Sequence, residues 1–203
     1  QSDYTRSSTS ISIPAGSLSG LITLTAVQDT IVEGNETIRV EISSVVNGTE
    51  SGTQYVTATI TDDDYTVIFD AQGGVAPNPA TKSVTYGSTY GTLATTTRAG
   101  YTFGGWWTAA GGTGTQVTSD TTVTVTAAQT LYAKWTANTY TVTFDAQGGS
   151  APSPASKSVT YASTYGTLAT TTRSGYTFDG WWTGASGTGT QVTSGTTVTV
   201  TAA

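Results

Sequence analysis

The sequence predicts a mainly β protein, and three observations carry that prediction. Of its 203 residues 48 are Thr and 24 are Gly, so β-branched strand formers are interleaved with residues suited to tight turns. Apolar and polar positions alternate, as at Tyr65, Val67 and Phe69, which is the pattern of a half-buried strand. Residues 65–128 and 140–203 align without a gap at an offset of 75, and 54 of the 64 positions are identical. Such a unit is too long for a solenoid repeat and reads as two whole small domains in tandem.

Composition also narrows the function. Hydrophobic residues make up 36% of the chain and charged ones 10%, which argues against both a packed helical protein and a charged disordered tail. With no His and no Cys, the chain lacks a Ser-His-Asp triad, thiol nucleophiles, imidazole ligands and disulfides, so the usual tools of an enzyme are missing. A net charge of −6 with only seven basic residues argues against nucleic acid as a partner. No apolar run approaches the roughly 20 residues that cross a bilayer, and the chain shows no signal peptide. The absence of Met implies that Gln1 is not a natural translation start.

In chain order, the first segment reads as four strands at about 8–13, 20–27, 37–43 and 55–61. Nine acids and two arginines give residues 1–64 a net charge of −7, whereas residues 65–203 carry four acids and five bases. That step predicts a domain boundary near Asp64 and places any cation chemistry in the first segment. The first repeat reads as strands at 65–71, 81–86, 100–107, 117–127 and 130–135, with a short helix around Leu93 within 89–97. FDAQGG (69–74) reads as a hairpin turn with positive φ at Gly73 and Gly74; it lacks the lysine of a phosphate loop. The first copy ends in QTLYAKW (129–135), an alternating run with no counterpart in the second copy, which implies a fragment. The expected domains are therefore 1–64, 65–136 and 137–203, the last without its final strand.

The order YTVxFDAxGG, GYTFxGWW and TLYAKW resembles the Listeria–Bacteroides repeat, the B-repeat of internalin-type surface proteins. That resemblance implies two β-grasp-like domains without catalytic residues, at the surface of a bacterial cell. SDYT (2–5), AVQDTIVEGNETIRVEIS (26–43) and VTATITDDD (56–64) resemble the second half of a Calx-beta domain, an immunoglobulin-like sandwich of about seven strands. The chain would then be a partial sandwich followed by two tandem small domains, with the missing half of the sandwich supplied upstream or by another chain. The Calx-beta resemblance implies Ca²⁺ ligands at Asp3, Asp29, Glu33, Asp62, Asp63 and Asp64, with Glu36 beside them, on loops at one end of the sandwich. Gln28 and Asn35 stand where the richest Ca²⁺-binding members carry Asp. The bland alternative is a solvated acidic edge.

Trp106 and Trp107, with Trp181 and Trp182 in the second copy, are the candidate ligand-binding residues. Neighbours on a strand face opposite ways, so one Trp of each pair joins Phe103 in the core and the other is free to stack on a sugar. The leading functional expectation is a stalk or adhesion array in a multidomain extracellular protein, binding surface glycans or proteins of another cell or matrix, or neighbouring copies of itself. The alternatives are a glycan-binding module, an accessory region of a secreted enzyme, and a filament subunit completed by a neighbouring chain.

Overall fold

A computed structural model describes residues 3–202; Gln1, Ser2 and Ala203, which belong to the expected first and last domains, lie outside the described residues. As expected, the chain is nearly all β. Among the described residues there is no α-helix, only short 3-10 turns at Ala110–Gly112 and Ala185–Gly187.

Two compact units account for the chain. The first runs to Ile68 and adds Thr81–Gly91 and Ser119–Gln129. It begins with two hairpin-like pairs. Strand β1 (Tyr4–Arg6) pairs antiparallel with β2 (Leu24–Ala26), and β3 (Glu36–Glu41) with β4 (Tyr55–Ile60) over six residues. The strand expected at 8–13 is absent; the first strand lies at 4–6 instead. The Ser8 hydroxyl donates to the Ser10 carbonyl (2.8 Å) and accepts its N–H (3.1 Å), a local bond that diverts the backbone from a ladder. No described residue before Asp64 is buried, and Leu18 is 101% exposed. These strands therefore have no apolar core of their own, which leaves their inner face uncovered.

Strand β5 (Asp64–Asp70) pairs with β6 (Thr81–Thr85) from Asp64↔Thr85 to Ile68↔Thr81, burying Val67 and Val84. The expected helix at Leu93 and strand at 117–127 are both replaced by loops held to each other or to the sheet edge. Thr89 bridges Thr122, Asn78 bridges Thr95, and the Tyr90 N–H donates to Thr121 O at 3.0 Å. These long-range bonds outcompete the weak helix propensity of a Thr-rich run. The QGG turn also differs from expectation: positive φ falls on Gln72 and Gly73, as a type I′ turn requires, and Gly74 is needed for another reason. A Cβ on Gly74 would lie 2.7 Å from the Trp135 ring and 2.9 Å from Thr97 O.

The second unit comprises Phe69–Ala80, Thr92–Thr118 and the residues from Thr130 onward. Here β7 (Tyr101–Ala109) pairs with β8 (Thr113–Val117) and with β9 (Gln129–Ala137), both antiparallel. A bulge between Phe103 and Trp106 re-aims the strand. With β5 and β6 these strands make one five-stranded sheet, ordered β6-β5-β9-β7-β8, in which β9 is central.

The second repeat repeats the hairpins and not the sheet. Strand β10 (Thr139–Thr143) pairs with β11 (Ser156–Thr160), and β12 (Trp181–Gly184) with β13 (Thr188–Val192), as two separate two-stranded sheets. Val159, Tyr165 and Val198 form a small core there, with Tyr140, Val142 and Leu168 packed against it.

Candidate functional site

Three places in the chain combine chemistry with geometry. The first is an acidic depression of about 70 Å³ lined by Asp3, Asp29, Glu33, Glu36, Asp62, Asp63 and Asp64 together, so every acid singled out in the sequence reaches the same spot. Carboxylate oxygens of Asp3, Asp29 and Glu33 all lie within 4.8 Å of one another. The three terminal aspartates are already engaged. Asp62 accepts from the N–H groups of Asp64 (2.9 Å), Gly34 (2.7 Å) and Glu33 (2.9 Å), which hold its carboxyl below the ordinary value of 3.8. Asp63 accepts from the Gln28 amide at 2.8 Å. Asp64 is buried and accepts from the Thr85 hydroxyl at 2.6 Å, tying the depression to β6. Asn35 accepts from the Asp62 N–H at 3.0 Å, so the Gln28 and Asn35 amides serve as internal ties of this loop cluster.

Glu36 behaves oppositely. A hydrogen bond to Asp3, together with the charges of Asp3 and Glu33, holds its carboxyl above the ordinary value of 4.5. Such a group is at ease in the fold while protonated, and its ionisation costs stability once pH rises past 4.5. Glu36→Gln therefore stabilises the first unit at pH 7 without divalent cations, and the gain fades to nothing below about pH 3.5. Hydrogen exchange of the β3–β4 amides at the two pH values reads this directly. Asp62 supplies the reverse dependence: its contribution is full above 3.8 and is lost as pH falls through its lowered folded value. Among the described residues Arg39 pairs with Glu41 at 2.9 Å, an ion pair that involves none of these seven acids. The converging carboxylates of Asp3, Asp29 and Glu33 are the donor type that a hard divalent cation takes, six to eight oxygens in all.

The second place is the aromatic cluster. Trp106 points inward, 2% exposed, with its indole N–H on Ala94 O at 2.8 Å and its ring 4.8 Å from Phe69. Trp107 faces the other way, its N–H on Gly104 O (3.0 Å) and the Lys134 ammonium 4.3 Å above its ring. Phe103 sits at the margin of the core: it packs 5.5 Å from Trp106 and 5.3 Å from Trp135, yet is 36% exposed. In the second copy Trp181 keeps the bond to Ala169 O (2.8 Å) and the Phe144 contact (4.8 Å), but Trp181 and Trp182 are both partly exposed. Both line an open groove of about 570 Å³.

The third place, which sequence reasoning did not single out, is the joint between the copies. Asn138 alone separates β9 from β10. Its N–H donates to Gly100 O (2.9 Å) and its carbonyl accepts from the Tyr161 N–H (2.9 Å). Its side-chain oxygen accepts from the Thr102 hydroxyl at 2.6 Å, and its amide donates to the Tyr140 hydroxyl at 3.3 Å. The Tyr161 ring packs edge-on against Tyr101 at 5.4 Å, and a Cβ on Gly100 (φ +77°) would collide with that ring. The available signal was the absence of any linker: repeat strand follows repeat strand in the sequence.

Comparison with known proteins bears on the repeats. Internalin H of Listeria monocytogenes is 38% identical over 120 residues, 58% of this chain and 20% of that protein, so the chain spans about a fifth of its relative's length. No solved structure matches. The Listeria–Bacteroides repeat domain model matches residues 65–134 and again 140–203, so the chain belongs to the Listeria–Bacteroides repeat family and carries two copies of its domain.

Proposed function

We propose that the chain is a spacer and adhesion-array segment of a multidomain bacterial surface or extracellular protein, without a catalytic centre. The observation that carries this reading is the Asn138 joint. A spacer transmits position only if its repeats cannot swivel, and every polar group of Asn138 named above is bonded to a neighbouring element. The membership of the repeats in a family typified by internalin-type proteins supports the surface location. Gly100→Ala tests the joint: displacing the Tyr161 ring lowers hydrogen-exchange protection at Asn138 and Tyr161 by at least about tenfold. Protection at Val67, in the core of β5, stays unchanged. Equal protection in the variant contradicts the reading.

Under the same proposal the first segment is half of a Calx-beta-like sandwich, the two repeats are β-grasp-like domains, and the acidic depression takes Ca²⁺. Ca²⁺ at a hundred times its Kd then stabilises the first unit by about 2.7 kcal/mol, and an unmoved unfolding curve opposes it. The proposed partners are surface glycans or proteins of another cell or matrix, or copies of the chain. A second reading, glycan contact through Trp182, draws support from the groove it lines.

A further inference from the structure

The chain contains no Cys and no Met, and it contains 11 Tyr. A one-electron oxidant therefore meets none of the sulfur side chains that ordinarily absorb it, and its load falls on phenol and indole rings. The same absence denies the chain a disulfide, the usual covalent reinforcement of a protein outside the cell. At the joint two phenols are held together. The rings of Tyr101 and Tyr161 lie edge-on with centroids 5.4 Å apart, within contact range for an aromatic pair, and both residues are half-buried, so solvent still reaches them. Tyr101 is fixed from its other side by the Arg98 guanidinium, 4.0 Å from the ring centroid. Asn138 positions both rings: its carbonyl accepts from the Tyr161 N–H, and its own N–H donates to Gly100 O. A Cβ on Gly100 would meet Cγ and both Cδ atoms of Tyr161, the stem end of the ring. The Cε carbons, where phenoxyl radicals couple, lie at the opposite end beside the hydroxyl.

We propose that Tyr101 and Tyr161 form an oxidative modification site, which a haem peroxidase with hydrogen peroxide couples into a dityrosine that bolts one copy to the next. Each phenol gives up one electron and its hydroxyl proton, and together these reduce one hydrogen peroxide to two waters. The two phenoxyl radicals then form one C–C bond between their Cε carbons. The hydrogen on each bonded carbon moves to the adjacent oxygen, which restores both phenols and leaves the chain lighter by two hydrogen atoms. Coupling requires two rings to meet, and a pair already held in contact is spared the entropy of that encounter. Tyr86, the counterpart of Tyr161 in the first copy, provides the contrast. Its N–H makes the matching backbone bond, to Asp63 O at 2.8 Å, yet the residue is 51% exposed. The inference rests on the joint geometry that carries the proposed spacer and adds a covalent bond to it.

The test treats the full chain, at high dilution, with a haem peroxidase and hydrogen peroxide, and follows dityrosine fluorescence, intact mass and the linked peptides. The expected product is a monomer lighter by two hydrogen atoms, with Tyr101 joined to Tyr161. Tyr161→Phe and Tyr101→Phe keep the ring contact and remove the phenol, and each lowers the yield of that monomer at least about tenfold, because no other pair is preorganised to the same degree. Tyr86→Phe leaves the yield unchanged. Linkage confined to chain dimers, linkage through other tyrosines, or an unchanged monomer yield in Tyr161→Phe overturns the proposal. Hydrogen exchange on the untreated chain separates this inference from the spacer reading. A missing 101–161 bond with the Asn138 and Tyr161 amides protected overturns the modification site alone, and a missing bond with those amides unprotected overturns both.

Discussion

Replacing Trp106 by Ala is expected to cost the first repeat about 3–5 kcal/mol, the range for removing a large aromatic from a packed core. Trp106 is 2% exposed, stacks on Phe69 and Phe103, and satisfies Ala94 O with its indole N–H. The substitution therefore opens a cavity and leaves a carbonyl without its partner. The same substitution at Trp181, with nearly the same local sequence and the matching hydrogen bond, costs distinctly less, because that ring is already partly in contact with solvent. Denaturant unfolding followed by residue-resolved hydrogen exchange separates the two repeats. Equal losses at Trp106 and Trp181 would show that β9 contributes nothing to the burial of the first site.

The second large effect lies in β9. Leu131 is fully buried in the central strand, so Leu131→Ala is expected to cost about 2–5 kcal/mol. The loss has a structural signature as well as a size. Loosening β9 removes the partner of Tyr101–Phe103, and exchange protection there falls toward that of residues 176–178 in the second copy. Retained protection at Tyr101–Phe103 with a lowered global stability would mean that β7 is ordered without β9.

How far the sequence disclosed this arrangement depended on the range of the interactions. The alternation in YTVIFDA, TKSVTY and TLYAKW reads directly as β5, β6 and β9, because one face of each strand is apolar. The strand placed at 8–13 failed on a local competitor, the Ser8 hydroxyl bonding to Ser10. The helix at Leu93 failed on a distant one, since Thr89 and Thr95 are held by Thr122 and Asn78. The acids at 3, 29, 33, 36 and 62–64 were legible as a group because loops at one end of a strand pair converge there. Their individual duties were not: which aspartate binds backbone and which stands free is decided by Gly34, Gln28 and Thr85. Trp106 and Trp107 could be sorted into one inward and one outward ring, though not into which was which, because the bulge at Gly104–Gly105 intervenes. The joint escaped because Asn138, Gly100 and Tyr161 are ordinary residues whose importance lies wholly in being brought together.

The claim on which the rest depends is that one copy is fixed to the next through Asn138. Backbone ¹⁵N relaxation over residues 65–137 and 139–202 measures this most directly. The account predicts that a single rotational diffusion tensor fits both copies, and that Gly100→Ala splits it into two. Two independent tensors in the unaltered chain would contradict it.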